Sequence, residues 1–343
     1  VSFLRNQVVT FPRNRWSVCA EIRWSISANS PAYNKENNPE KALAFFERAY
    51  SLNPDDARVL MELDQLYKKL NYPVKTRLEF LAQKQDTVII RDDLYLENAA
   101  LYNYSGLYAE ALQLIDQRKF HPWEGGEGKA SGQYIYALTE LAKADIRAKR
   151  FTEAIDKLEQ AQVYPHNLGE GKLPGAQEND LFYWLGCAYK GLGDEQHAAE
   201  YWHKATVGLS EPSAAIFYND QQPDKIYYQG LAWRELGQPE TADKIFTDLV
   251  NYGNGHKRDE VRIDYFAVSL PDLLIFDDDL NLRNAIHCEF VAGLGYLGRK
   301  AFAEAEIAFN SVFEKDAMHF GARTHLRDLL LLKEKMNLLN VVS

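Results

Sequence analysis

The chain has 343 residues, with 39 Lys and Arg against 49 Asp and Glu, a formal charge of −10, and 20 Tyr, 17 Phe and 6 Trp. An acidic chain without a basic run lacks the clustered cations that phosphate backbones require, so no nucleic-acid partner is expected. It has no apolar run of the ~18 residues that would make a membrane span, and its aromatic content excludes intrinsic disorder.

The first 31 residues form an irregular or incomplete segment. They hold four Arg (Arg5, Arg13, Arg15, Arg23) against one Glu (Glu21), and Pro31 interrupts the place where a helix would fall. They show no signal-peptide pattern. Three scattered cysteines (Cys19, Cys187, Cys288) make no C-x-x-C and no disulfide framework. A reducing, cytoplasmic setting fits them.

From residue 32 onward a period appears. Ala42, Phe46, Ala49 and Pro54 are followed by Leu63, Tyr67, Thr76 and Phe80, then Ala99, Tyr102, Gly106, Ala111 and Ile115. Next come Ala142, Ala154, Leu158 and Ala161, and then Leu185, Gly186, Tyr189, Gly193, Ala198, Trp202 and Ala205. Gly230, Trp233, Gly237, Ala242 and Phe246 precede a last set, Gly293, Tyr296, Ala305 and Phe309. This is the spacing of a tetratricopeptide (TPR) unit of two antiparallel helices. Small residues sit where helices A and B cross, large ones fill the space beside them, and glycine ends helix A.

Taken at the small helix-B residue (Ala42, Thr76, Ala111, Ala154, Ala198, Ala242, Ala305), the steps are 34, 35, 43, 44, 44 and 63. A bare unit is about 34 residues. The excess falls after helix B, so loops at 119–134, 164–180, 208–224 and 251–284 should lie on one edge. The amphipathic tail Phe320–Leu338, with Leu326, Leu329, Leu330 and Leu332, reads as a cap over the last apolar face. The expected fold is all-α: a TPR-type α-α superhelix (solenoid) of about seven helix pairs over 32–338, with a C-terminal capping helix and enlarged inter-repeat loops.

Two loops repeat one motif. Pro122 and Pro165, 43 residues apart, each open Pro-x-x-x-Gly-Glu-Gly-Lys. The first copy presents His121, Trp123, Glu124, Glu127 and Lys129, and the second His166, Glu170 and Lys172. Such a set can hydrogen-bond a polyol or a partner. It can equally lock one loop to the next, and a surface Lys–Glu pair adds only ~0–1 kcal/mol. Trp123 is either a plug or a stacking platform for a sugar ring. The Gly-Lys pairs are not phosphate loops, because the required upstream glycine and following Ser or Thr are missing. Phe217, Tyr218, Asn219 and Asp220 close the third loop. In the fourth, the apolar stretch 265–276 is too hydrophobic for a free loop and should fold back over the solenoid or meet another domain. Asp277–Asp279 reads as a helix N-terminus. His197 and His203, six apart, share no helix face, and no metal, cofactor or catalytic motif is present.

The strings VLMELDQLYKKL, RKFHPWEGGEGK, YPHNLGEGKLPGAQENDLFYWLGCAY and DYFAVSLPDLLIFDDDLN resemble the C-terminal TPR array of a family of large bacterial proteins. In that family a β-rich domain of unknown function, similar to sugar-binding mutarotase-like sandwiches, precedes the array. The resemblance spans roughly residues 32–335 and includes the loops. It implies a carbohydrate-associated parent protein and maps no catalytic residue here. Two expectations follow. One is a non-catalytic scaffold that holds a protein segment, or its own upstream domain, in a concave groove with Asn103, Tyr183, Lys190, Tyr227 and Arg234. The other is a carbohydrate-binding or glycoside-processing site built from the Gly-Glu-Gly-Lys loops.

Overall fold

The computed structural model describes residues 36–123, 125–215, 220–262, 276 and 279–342. Residues 1–31, Glu124, Phe217, Tyr218, Asn219, Asp277 and Asp278 lie outside it, as does the stretch 265–276 apart from Phe276. The described residues form fifteen α-helices, one 3-10 turn (His166–Leu168) and no strand. None of these helices is long and apolar enough to cross a membrane.

The helices alternate as pairs. α1 (Pro39–Leu52) is a helix B, the first helix among the described residues. Six pairs follow: α2 (Ala57–Lys69) with α3 (Val74–Ala82), α5 (Asp92–Tyr104) with α6 (Tyr108–Gln117), α7 (Lys129–Arg147) with α8 (Phe151–Ala161), α9 (Asn179–Leu192) with α10 (Glu195–Ala205), α11 (Pro223–Glu235) with α12 (Pro239–His256), and α13 (Leu280–Gly298) with α14 (Phe302–Lys315). A short α4 (Gln85–Val88) follows α3, and α15 (Phe320–Val342) ends the chain.

The pairs close as the sequence pattern requires. A Cβ on Gly186 would lie 2.4 Å from the Trp202 indole nitrogen, so α9 and α10 meet there only because that position is bare. Gly230 against Phe246 and Gly293 against Phe309 repeat the arrangement. Phe46, Phe246 and Phe309 are wholly buried, each contributing roughly 1.5–3 kcal/mol. Every turn from helix A to helix B also holds one residue at positive φ: Asn71, Gly106, Lys149, Gly193, Gly237 and Lys300. Glycine adopts that left-handed conformation freely; the two lysines do so at a cost.

Three expectations need correction. Thr76 is not the small residue of its pair: it is exposed, and Arg77 takes the buried position one residue later. The guanidinium is drawn inward by two acids, at 2.6 Å from Asp64 and 2.7 Å from Glu97. The loops are also shorter than expected, because helices absorb part of the excess. α7 begins at Lys129 and α12 runs on to His256. Gly253 allows that extension, since a Cβ there would sit 2.3 Å from the Cys288 carbonyl oxygen. Third, Leu330 and Leu332 in the tail are exposed, whereas Ala322, His325 and Leu329 are buried.

The tail does more than cover α13 and α14. The α14–α15 turn returns to the second repeat: Asn71 donates to the Lys315 carbonyl (2.9 Å) and accepts from the Ala317 N–H (3.2 Å). The Tyr104 hydroxyl donates to the Ala317 carbonyl at 2.6 Å. Phe276 likewise buries its ring against Phe46 of the first helix, at 5.8 Å between centroids and nearly edge-on. Asp279 accepts from the Asn281 and Leu282 N–H groups and so caps α13.

Candidate functional site

Two regions hold the residues singled out from the sequence. The first is the edge formed by the inter-repeat loops. Its glycines and amides bind loop to loop. The Phe120 N–H donates to the Asn167 carbonyl (2.7 Å), and the Asn167 amide donates to the carbonyls of Ile115 and Arg118 (2.9 and 3.0 Å). These carbonyls lie at the end of α6, where the helical ladder runs out, and Ile115 also accepts from the Arg118 N–H at 3.2 Å. Gly169 lies at positive φ, and a Cβ there would stand 2.5 Å from the Phe120 carbonyl oxygen.

The two copies of Gly-Glu-Gly-Lys occupy different chemical positions. Glu170 reaches across to the other copy and accepts from the Gly128 and Ser131 N–H groups (2.8 and 2.9 Å). It caps the start of α7 from a neighbouring loop, where the helix offers unpaired donors and positive potential. Lys172 pairs with Glu178 at 2.6 Å and donates to the Gln162 carbonyl. Glu127, the counterpart of Glu170, is exposed and makes no side-chain hydrogen bond or ion pair among the described residues. Lys129, the counterpart of Lys172, is the exposed first residue of α7.

His121 is held by Asp92, which accepts from its backbone N–H (2.9 Å) and sits 3.0 Å from its Nδ1. Burial alone would raise the Asp92 carboxyl, but the His121 and Arg118 donors hold it below its ordinary range. Trp123 is half-buried, with its ring lying over Gly126, where a Cβ would come within 2.2 Å. His166 is exposed at the start of the 3-10 turn.

The second region is the inner face of the superhelix, and α15 lies in it. The last helix touches helices A of four different repeats, which only a segment on the inner side can do. Phe320 packs edge-on to Tyr104 of α5 and Tyr136 of α7, at 5.5 and 5.0 Å. Thr324 shares a 2.9 Å hydrogen bond with the Tyr136 hydroxyl. His325 is buried among Tyr227, Tyr228, Phe290 and Phe309.

Ionic contacts reinforce this seat. The Lys143 ammonium, 1% exposed, lies 2.7 Å from Asp328 and 2.9 Å from Glu140. It also stands 5.3 Å from the centroid of the Trp184 ring. Arg327 pairs with Glu140 and donates to the Tyr108 hydroxyl. Burial would lower the Lys143 pKa, but Asp328 and Glu140 hold it above its usual value. Burial would raise Asp328, yet Lys143 and its neighbours hold it low, whereas burial prevails at Glu140 and raises it.

Of the five groove candidates, Tyr227 meets α15 directly, through His325. The other four join successive repeats. Asn103 is fully buried and donates to the Gln133 carbonyl and side chain. Tyr183 packs on Trp184 and Tyr228, and burial drives its hydroxyl pKa well up. Lys190 pairs with Glu235 at 2.7 Å. Arg234 reaches Asp243 (3.0 Å) and the Gly298 carbonyl (2.8 Å). The residues that do hold α15, Tyr104, Tyr136, Glu140 and Lys143, were missed. Their signal was the pair Glu140 and Lys143, one turn apart on the buried side of a helix, answered by the adjacent charges Arg327 and Asp328 of the amphipathic tail.

The Tetratricopeptide repeat family model matches residues 226–252, which lie in α11, its turn and α12. Among solved structures, a tetratricopeptide repeat protein from Parabacteroides merdae ATCC 43184 is similar over 91% of this chain and 99% of its own, at 9% identity and a TM-score of 0.44. The P58(IPK) TPR domain is similar over 92% and 99%, at 13% identity and a TM-score of 0.32. The APC/C hetero-tetramer Cut9-Hcn1 matches over 92% of this chain and 55% of that one, at 12% identity and a TM-score of 0.34. The described residues form an all-helical array of antiparallel pairs, and the α11–α12 pair matches a tetratricopeptide repeat.

Proposed function

We propose that the chain is a non-catalytic interaction scaffold that grips a protein segment, or the β-rich domain that the resemblance places upstream of it, along its inner groove. The observation that carries this reading is the seat of α15. The groove receives an α-helix lengthwise and recognises it through aromatic, hydroxyl and charged contacts from several repeats. Solenoids bind extended partners on such concave surfaces. The Gly-Glu-Gly-Lys loops serve on this reading as braces, because Glu170 and Lys172 already hold neighbouring backbone and side chains. The carbohydrate link implied by the resemblance then belongs to the upstream domain.

The test is a pair of titrations on the whole chain. Labelled amphipathic helical peptides, and the upstream domain as a separate chain, are titrated by fluorescence anisotropy. Mono- and oligosaccharides are screened by thermal shift, which reports any ligand that binds only the folded state. Saturable binding of a peptide or the domain, without a sugar shift, is expected. A sugar that raises the Tm of the wild type but not of Glu127→Ala/Glu170→Ala sinks the reading in favour of a loop-edge sugar site.

A further inference from the structure

The last helix fits the groove imperfectly. His325 is 2% exposed and its Nδ1 has no hydrogen-bond partner, and the Arg327 Nε is buried without one too. Unpaired polar atoms of this kind are uncommon in a permanent core. Beside the Phe320 ring on Tyr104 and Tyr136, the contacts that α15 makes with α5 and α7 are hydroxyl and ionic, the composition of an interface that opens rather than of a sealed one. Leu330, Leu332 and Met336 are exposed beyond the last of these contacts. By contrast, the face that α15 turns to α13 and α14 is apolar and close. Leu329 and Ala322 are wholly buried, and a Cβ on Gly321 would lie 2.4 Å from the Phe290 ring.

We propose that the groove is a receptor for an amphipathic helix of a partner protein, and that α15 occupies it as an internal competitor that the partner displaces. This rests on the scaffold reading and specifies the partner's chemistry. A displacing helix presents an aromatic ring to Tyr104 and Tyr136, a hydroxyl four residues later for Tyr136, and an Arg-Asp pair seven and eight residues after the ring. The Arg answers Glu140 and the Asp answers Lys143, as Arg327 and Asp328 do. A partner able to satisfy its own buried polar atoms gains over α15 what His325 and Arg327 leave unmade.

The experiment uses a labelled peptide with the sequence of residues 317–336, titrated by anisotropy into the full chain and into full-length Arg327→Glu/Asp328→Lys. That variant sets like charges against Glu140 and Lys143 and leaves the groove wall intact. At least tenfold tighter binding by the variant is expected, and a peptide carrying Asp328→Lys should lose it. Equal binding by both chains, or none by a variant whose circular dichroism matches the wild type, overturns the proposal. Should the variant not fold, hydrogen exchange on the wild type decides. Amides of 320–336 are expected to open at least tenfold more often than those of α13, and exchange in step with α13 overturns it. A panel peptide that binds wild type and variant alike, where the 317–336 peptide binds neither, removes this inference and leaves the scaffold reading standing.

Discussion

The inner groove and the outer loop edge are both held by hydrogen bonds and ion pairs, yet they differ in reach. The ties described on the first two loops join residues 6 to 52 positions apart, within a repeat or between neighbouring ones. Ties from the tail to the first half of the array join residues 185 to 246 positions apart. The edge can therefore form as each repeat stacks on the last, whereas the inner closure waits for the whole superhelix, because distant contacts carry their chain-closure cost first. A change at the edge should act locally. A change in the groove should be felt by the entire array.

The sharpest way to break that contrast is Lys143→Met. It leaves Glu140 and Asp328 with reduced compensation in a buried site, and a loss of about 3–5 kcal/mol is expected in denaturant unfolding. Combining it with Asp328→Asn should recover part of the loss, a non-additivity that a double-mutant cycle reads directly.

Acid offers a second route. Burial lowers the His325 pKa from 6.5 to about 3. The groups facing it are Tyr227 and Tyr228 of α11, Phe290 of α13, Phe309 of α14, Lys143 of α7, Asp180 of α9, Asp328 of its own helix and His319 just before that helix. The folded state keeps the ring neutral, so its contribution is complete above pH 6.5 and falls as the pH drops towards 3. At pH 5 the loss from this group is about 2 kcal/mol relative to pH 8. His319, also lowered by burial, acts in the same direction, and Glu140, raised by burial, in the opposite one. His325→Phe isolates the term: its unfolding free energy should depend less on pH between 8 and 5 than that of the wild type.

At the edge the effects should be smaller. Glu170→Ala removes a cap and should cost about 1 kcal/mol, with faster amide exchange confined to residues 128–133. Glu127→Ala should stay within about 0.5 kcal/mol, despite the identical motif. Equal costs would mean that the two loops are equivalent after all. Comparably small, and of opposite sign, are Lys149→Gly and Lys300→Gly, which relieve positive φ and should each raise stability by about 0.5 kcal/mol, since glycine's greater unfolded-state entropy offsets part of the gain.

The fold was legible because its determinants are local. Gly186 against Trp202, and the turn residue Gly193, follow from spacing alone. The helix-B register of the second pair was not, because Thr76 looks suitable until Arg77 finds Asp64 and Glu97, which lie 13 residues before it and 20 after it. The identity of the two Gly-Glu-Gly-Lys copies was visible. That Glu170 serves the backbone of the other copy was not, since a motif carries no information about which neighbour it faces. The groove was recognisable as a surface, but its occupant depends on the superhelix turning far enough to bring residue 328 beside residue 143, and pitch is a property of the assembled array.

The bonds from Asn71 and Tyr104 to the final turn have one more consequence. Open arrays gain and lose repeats by duplication and deletion, because each unit touches only its neighbours. Here the second unit and the last turn are fastened to each other, so every unit between them contributes a rotation that the fastening has already fixed. An extra copy, or a missing one, would leave Asn71 facing the wrong place. The number of units between Asn71 and the last turn is therefore set by this geometry.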